Sequence, residues 1–307
     1  MSTLLMVRTP FQAWLAQKVL EKEQIKSLDV IYFTQNDSEE DQYYYEQLSL
    51  ISKKSDYIYV RPRRFDIFSQ IIFLLKTRGY SSKYYDTVMY ASINALVPNF
   101  LINKHKKAKL ITFDDGLANI VTNGIFSNEV SRRSNIYRIL IGSPTLKTIK
   151  KRITRHYTVY AKNKNIVENE RLFFLKGWEN TTNNKSDDIK TYFIGAPFEE
   201  VMSAAQILRL ENFVKTQYID AYVAHPRERN MLDIGVPILS KHGRIAEDAI
   251  IADAGDKRIR LVGWFSSVML NLESFCESRI VLFPRDGVGS NELYELSKKS
   301  GCTPILI

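Results

Sequence analysis

The sequence Asp-Ala-Tyr-Val-Ala-His-Pro-Arg-Glu, at residues 220–228, predicts a short buried strand that ends in chemically active side chains. The apolar run covers residues 221–224, and Pro226 marks its end because proline cannot donate a hydrogen bond to a sheet ladder. His225 is therefore expected at the carboxyl end of a strand, where open α/β sheets bind their ligands. Such a histidine can act as an acid near neutral pH, but an ordinary surface histidine before a proline is an equally good interpretation.

Outward from this stretch, strand-like and helical patterns alternate along the chain. Short apolar runs lie at residues 4–8, 28–34, 57–60, 86–91 and 110–113, and again at 191–194, 258–262, 279–283 and 303–307. Helical patterns separate them, which predicts parallel βαβ units and doubly wound sheets. Because 307 residues exceed the usual size of a single hydrophobic core, we expect two Rossmann-like domains, residues 1–155 and 156–307, that face a central cleft. The pattern loosens between residues 125 and 190.

The composition narrows the class of protein. The two cysteines, Cys276 and Cys302, form no disulfide framework and lack zinc-site spacing, which is typical of a cytoplasmic protein. We find no signal peptide and no apolar run long enough to predict a membrane span. The formal net charge of +9 indicates an anionic partner, and nucleic acid, an anionic membrane face and an anionic substrate all remain open.

A pair of carboxylates follows the predicted strand at residues 110–113. Asp114 and Asp115 are adjacent, and Gly116 allows the chain to turn after them. Two carboxylates side by side disfavour double ionisation, so one of them can have a raised pKa and act as a base. The alternative is a plain Asp-Gly turn.

A third candidate feature follows the strand at residues 258–262. Gly263 is followed by Ser266 and Ser267, which open an apolar helix. The unsatisfied N–H groups of a helix start bind anions, and two hydroxyls add donors, although Ser266 could be only an N-cap. The glycine-rich residues 286–292 are a competing phosphate-binding segment. The chain has no P-loop motif.

Together these features supply a base, an acid and an anion-binding group. That set is suited to the transfer of a group from a nucleotide phosphate to a hydroxyl, without a metal and without a cofactor. It does not by itself identify the group that is transferred.

At this point the motifs resemble those of a known family. Residues 114–116, the His225-Pro226 pair and the Ser266-Ser267 pair look like the D/E-D/E-G, HP and paired-serine motifs of bacterial sialyltransferases. Residues 8–12, Arg-Thr-Pro-Phe-Gln, resemble the start of the lipooligosaccharide sialyltransferases of glycosyltransferase family 52. The four matches come in the family's order and span nearly the whole chain.

The resemblance implies an α/β fold of GT-B type and an inverting transfer of sialic acid from CMP-sialic acid to a galactose-terminated glycan. By motif, Asp115 would be the base, with Asp114 as the other candidate, and His225 would protonate or hydrogen-bond the departing phosphate. The donor would be bound by Ser266, Ser267, Pro226, Arg227, Gly263 and Glu247. Glu247 would contact the ribose, although an acid on the exposed face of a helix is the alternative. The acceptor side would be Thr9, Pro10, Gln12 and Gly116.

The resemblance also implies a homodimer, with cytoplasmic localisation and peripheral contact with the anionic inner membrane. One alternative is another metal-independent GT-B glycosyltransferase that uses a different nucleotide sugar. A second is a nucleic-acid-binding protein, which only the basic composition suggests. No nucleic-acid reader motif is present, so we expect no nucleic-acid partner.

Overall fold

The computed structural model describes residues 1–61, 67–96, 98–121, 124, 126, 135–136, 138–139, 141–161, 163–180, 186–286 and 290–307. The chain forms two compact units, Met1–Leu175 and Lys176–Ile307. Each unit is built on one parallel sheet with helices between its strands, which confirms the predicted α/β class. The division lies later than residue 155, where the sequence placed it, because residues 153–158 and 172–174 are strands of the first sheet.

In the first unit the described residues form a seven-stranded sheet of order β3-β2-β1-β4-β5-β6-β7. All its neighbouring strands run parallel. The chain builds outward from β1 on one side and then returns to β4 on the other, so β1 and β4 flank the topological switch point. The strands are β1 Ser2–Val7, β2 Ser27–Thr34, β3 Lys54–Tyr59, β4 Thr87–Tyr90, β5 Lys109–Phe113, β6 Ile153–Thr158 and β7 Leu172–Phe174.

Helices connect these strands and pack against the sheet. The described helices are α1 Pro10–Lys22, α2 Glu39–Leu50, α3 Ile67–Lys76, α4 Arg78–Ser81, α5 Pro98–Lys104 and α6 Leu146–Arg152, with short 3₁₀ turns at Gly116–Asn119 and Asn169–Arg171. The first helix begins as the sequence predicts, since Thr9 caps it and Pro10 holds the first helical position. The hydroxyl of Thr9 accepts a hydrogen bond from the Gln12 N–H at 3.3 Å.

In the second unit the described sheet has the order β12-β11-β10-β8-β9 and is again parallel. Its strands are β8 Ile189–Ile194, β9 Ala221–Val223, β10 Arg258–Gly263, β11 Cys276–Phe283 and β12 Thr303–Leu306. Its helices are α7 Ala204–Lys215, α8 Ala246–Ala254, α9 Ser267–Asn271 and α10 Ser290–Lys299, with 3₁₀ turns at Phe198–Glu200 and Glu273–Phe275.

The strand predicted at residues 221–224 is β9, the edge strand of this sheet. Its outer edge is not bare, because the Tyr222 N–H donates to the Pro237 carbonyl and the Leu239 N–H donates to the Tyr222 carbonyl, both at 2.8 Å. This cover satisfies backbone groups that an edge strand otherwise exposes. The second switch point lies between β8 and β10, next to the end of β9.

Two further findings concern expectations from the sequence. The loose pattern at residues 125–190 conceals α6, β6 and β7. Within it, Arg132, Arg133 and residues 181–185 lie outside the described residues, as do residues 287–289 of the glycine-rich segment. Across the described part of the chain, no helix has both the length and the apolar character needed to span a membrane.

Candidate active site

Asp115, the predicted base, and the motif at residues 8–12 lie close together at the carboxyl ends of the strands of the first sheet. Strand register aligns Met6 with Tyr90 and Tyr90 with Thr112, at the carboxyl ends of β1, β4 and β5. The three strands end at or one residue beyond this level, at Val7, Tyr90 and Phe113. The segments that emerge there hold Gln12, Ser92 and Asp115, and they lie at the switch point where α/β sheets bind ligands.

Asp115 is half-buried, and both of its carboxylate oxygens accept a hydrogen bond. The Gln12 amide nitrogen lies 2.5 Å from Oδ1, and the Ser92 hydroxyl lies 3.2 Å from Oδ2. Burial raises the pKa of Asp115, while the hydrogen bond from Gln12, the charge of Arg8 and the hydrogen bond from Ser92 lower it, and the charge of Asp114 raises it. A carboxylate with a raised pKa is suited to accept a proton near neutral pH.

Asp114 occupies a very different environment, fully buried behind its neighbour. Its oxygens accept hydrogen bonds from His156 Nε2 at 3.1 Å, from the Val159 N–H at 2.9 Å and from the Asn165 amide at 3.3 Å. His156 is also fully buried, and its Nδ1 lies 2.8 Å from the Thr112 hydroxyl. All three donors enclose the carboxylate of Asp114 away from solvent, whereas that of Asp115 is only half-buried.

A side chain of the turn after β5 links the backbone of Asp115 to the surroundings of His156. Asn119 is buried, and its Oδ1 accepts the backbone N–H of Asp115 at 2.6 Å, while its amide nitrogen lies 3.4 Å from His156 Nε2. Gly116 begins this turn with a φ of +61°, a conformation that favours glycine. The Asp-Gly turn of the sequence is therefore real, and it also presents the carboxylate.

In the second unit His225 follows β9, as the sequence predicts, and its ring orientation is fixed by the backbone. The Arg227 N–H donates to His225 Nδ1 at 3.0 Å. Because Nδ1 accepts, a neutral ring carries its proton on Nε2, so it can donate a hydrogen bond from that atom without being charged. Pro226 and Arg227 are exposed, and the Arg227 side chain pairs with Glu200 at 3.1 Å.

Glu228, which ends the stretch at residues 220–228, stabilises the turn that contains His225. Its Oε2 accepts the His225 N–H at 3.1 Å, and its Oε1 accepts the hydroxyl of Tyr222 in a short hydrogen bond. Burial raises the pKa of Glu228. Gly195 makes room for this carboxylate, because a Cβ there would stand 2.4 Å from Glu228 Oε2.

The paired serines stand at the end of β10, separated from the end of β9 by β8. Ser266 precedes α9, and its hydroxyl is buried without a hydrogen-bond partner among the described residues. A buried hydroxyl without a partner is costly, which points to a ligand that would satisfy it. Ser267 is half-buried at the first position of α9. At Gly263, a Cβ would lie 2.4 Å from the Ile194 carbonyl oxygen, so only glycine fits there.

Glu247 lies in the first turn of α8 and is buried, with 3% of its surface exposed, rather than on the exposed face of the helix. The Asn271 amide donates to its Oε1 at 2.7 Å. Burial raises the pKa of Glu247 to about 7, against a partial lowering by that hydrogen bond and by Lys241.

The sequence analysis assigns no role to four residues of these clusters, although Glu228 belongs to the stretch at residues 220–228. Ser92 follows the predicted strand at residues 86–91, so the carboxyl-end rule could have identified it. Asn119, His156 and Glu228 carry no such signal, because their roles depend on contacts that only folding creates. Over the described ranges, no group of three or more His, Cys, Asp or Glu side chains could hold a metal ion.

Comparisons with known proteins identify the family to which this chain is similar. The sequence model of glycosyltransferase family 52 matches residues 26–284. A CMP-N-acetylneuraminate:beta-galactoside alpha-2,3-sialyltransferase of Pasteurella multocida is 26% identical over 279 residues, 88% of this chain and 86% of that protein. An N-acetyllactosaminide alpha-2,3-sialyltransferase of Haemophilus influenzae is 31% identical over 195 residues, 62% of this chain and 62% of that protein.

A solved structure extends the likeness to the whole fold. It is an alpha/beta-galactoside alpha-2,3-sialyltransferase of the luminous marine bacterium Photobacterium phosphoreum, with a TM-score of 0.57 and 14% identity. The match covers 99% of this chain and 98% of that one. The predicted GT-B-type fold of two Rossmann-like domains is confirmed by this likeness.

Proposed function

The chain belongs to glycosyltransferase family 52, and we propose that it transfers sialic acid from CMP-sialic acid to the 3-hydroxyl of a terminal galactose-type sugar. The prediction that this protein is a glycosyltransferase is confirmed by the family match. The donor, the acceptor and the α2,3 linkage are proposed from the activities for which the Pasteurella and Haemophilus relatives are named.

The observation that carries the residue assignment is the state of Asp115. It is a half-buried carboxylate at the switch point, both of its oxygens are oriented, and burial raises its pKa. In the proposed reaction the acceptor hydroxyl oxygen attacks the anomeric carbon of the sialyl group while Asp115 takes the hydroxyl proton. The bond from that carbon to the phosphate oxygen breaks, CMP leaves with the electron pair, and a single displacement inverts the anomeric configuration.

The departing phosphate needs groups that stabilise its growing charge. We assign this role to His225, whose Nε2 can donate because its Nδ1 accepts the Arg227 N–H, and to the hydroxyls of Ser266 and Ser267. Donors aimed at a leaving group are worth most where water is excluded. With these donors the proposed reaction needs no metal ion, and Glu247, buried beside Asn271, would bind the ribose hydroxyls.

The formal charge of +9 supports an anionic acceptor. We propose a lipooligosaccharide glycan as that acceptor, with peripheral contact between a cytoplasmic enzyme and the anionic face of the inner membrane. A homodimer remains a prediction from the family resemblance.

The proposal is tested by measuring CMP release and glycan products with EDTA present. CMP-sialic acid is compared with UDP-sugars and GDP-sugars, and a galactose-terminated oligosaccharide is compared with the same glycan carried on lipid. We expect turnover with CMP-sialic acid alone, a product cleaved by an α2,3-specific sialidase, and a loss of about 10²-fold in His225→Ala. Turnover of a UDP-sugar or GDP-sugar in place of CMP-sialic acid would contradict the proposal, as would complete inhibition by EDTA.

A further inference from the structure

The amino-terminal motif lies against the candidate base, and this contact changes what the motif is expected to do. The family resemblance implies an acceptor-side role for Gln12 and no role for Ser92. We propose that Gln12 and Ser92 are positioning residues that keep the Asp115 carboxylate ionised and aim both of its oxygens. This inference rests on the proposed function, in which Asp115 is the base.

The orientation of the Gln12 amide follows from its partners. The Arg8 backbone N–H, which can only donate, lies 2.9 Å from Gln12 Oε1, so the amide nitrogen must point the other way. That nitrogen has two protons, one for Asp115 Oδ1 at 2.5 Å and one for the Ser92 hydroxyl at 2.8 Å. Gln12 is fully buried, so all of its polar groups are used inside the protein.

Ser92 completes the arrangement because its hydroxyl both accepts and donates. It accepts from Gln12 and donates to Asp115 Oδ2 at 3.2 Å, and it is itself fully buried. Each carboxylate oxygen thus accepts one side-chain hydrogen bond and keeps a further lone pair. A reacting hydroxyl can use that lone pair, so the two donors orient the base without blocking it.

The other charged and titratable groups near Asp115 have opposite effects on its ionisation. The charge of Arg8 favours the ionised form of Asp115, and the charge of Asp114 disfavours it. The buried Tyr90 is affected in turn, because Arg8 lowers the pKa of its hydroxyl and Asp115 raises it. His156 lies behind Asp114 and is hydrogen-bonded to it. Burial of Asp115 favours the protonated form, which cannot accept a proton. Hydrogen bonds to the charged form oppose this effect, and Gln12 and Ser92 supply two of them.

The test is the pH dependence of kcat/KM for sialyl transfer, whose acidic limb reports the base of the free enzyme. We would compare the wild type with Gln12→Met, Ser92→Ala and the double variant. Gln12→Met keeps the length of the side chain and removes its donors. Gln17→Met is the matched control, since Gln17 lies on the same helix α1 and makes none of these contacts.

We expect the acidic limb to move to higher pH by about one unit in Gln12→Met, by less in Ser92→Ala and by more in the double variant. Activity at pH values well above the limb should fall by up to about tenfold, because the carboxylate loses the donors that aim its oxygens, and Gln17→Met should change neither this activity nor the limb. Thermal unfolding establishes that each variant is folded, and Ser92→Ala decides the matter if Gln12→Met is not.

A uniform loss of activity at every pH, with an unmoved limb, would overturn the inference and leave both residues a packing role. The failure of the proposed function has a different signature. If Asp115→Asn keeps its activity, Asp115 is not the base at all. If Asp115→Asn is inactive while the limb of the Gln12 and Ser92 variants stays in place, only the positioning role fails.

Discussion

Glu247 is a residue whose burial costs stability and whose position suits a ligand. Its carboxyl is almost completely buried, and burial raises its pKa to about 7. The folded protein therefore holds a proton that the unfolded chain releases above its ordinary pKa of 4.5. Because the folded state binds more protons over that interval, stability falls as the pH rises from about 4.5 to about 7 and stays lower above it.

Replacement of this acid by its amide should remove that pH dependence. We expect Glu247→Gln to be more stable than the wild type by about 2–3 kcal/mol at pH 8 and by less than about 1 kcal/mol at pH 5. Urea unfolding at the two pH values measures the difference, with the exposed Glu168→Gln as the control. An equal effect at both pH values would show that the carboxyl of Glu247 is not held protonated.

At the scale of single elements, the end of β10 determines where the paired serines lie. Gly263 is paired with Ile194 in the parallel register of β10 and β8, and its φ is +153°. A Cβ there would stand 2.4 Å from the Ile194 carbonyl oxygen and 3.0 Å from its nitrogen. Since both atoms belong to the backbone, the clash can be relieved only by separating the two strands.

We therefore expect Gly263→Ala to destabilise the protein by about 2–4 kcal/mol and to weaken CMP binding, because Ser266 and Ser267 would move with the strand end. The control is Gly235→Ala. Gly235 also has a positive φ, +70°, but has no atom within 4 Å of the Cβ position, and the cost there should be about 1 kcal/mol. Denaturant unfolding and calorimetry with CMP measure both effects. Equal destabilisation by the two variants would contradict the steric account.

The elements also show how far the sequence predicts this fold. Apolar runs identify β1, β2, β4 and β5 because these strands are buried along almost their whole length and have few polar interruptions. The edge strands β3 and β12 are partly exposed, and their shorter apolar runs still identify them. In contrast, β6 contains His156 and Thr158, which are polar yet fully buried. The partners of His156 are Thr112 and Asp114, more than forty positions earlier in the chain. In the sequence, a polar residue whose partner lies so far away along the chain cannot be told from a surface residue. The sequence pattern therefore does not predict β6, and the predicted domain boundary lies too early.

The candidate site divides in the same way. Asp115, His225 and the serines follow strand ends that the sequence identifies, so the sequence predicts their positions in the fold. The difference between Asp114 and Asp115 was not predictable from two adjacent carboxylates, since it arises from the donors that enclose one of them. Glu247 was expected as a ribose contact or as an exposed helix residue, and its burial depends on Asn271, which belongs to α9.

For the whole molecule, the proposed function assigns a different part of the reaction to each unit. The first unit supplies the carboxylate that would accept the proton from the acceptor. The second supplies the imidazole and the hydroxyls that would stabilise the departing phosphate. An excess of Lys and Arg over Asp and Glu, 43 against 34, suits a reaction in which the donor and the proposed acceptor are both anionic.

The central claim is that Asp115 is the base of a sialyl transfer, and the most direct measurement is the turnover of Asp115→Asn with CMP-sialic acid and a galactose-terminated acceptor. The isosteric amide keeps the shape of the site and cannot accept the proton, and the exposed Asp187→Asn serves as the matched control. We predict a loss of about 10³-fold for Asp115→Asn, with CMP affinity and thermal stability close to those of the wild type. Turnover of Asp115→Asn within about tenfold of the wild type would contradict the account.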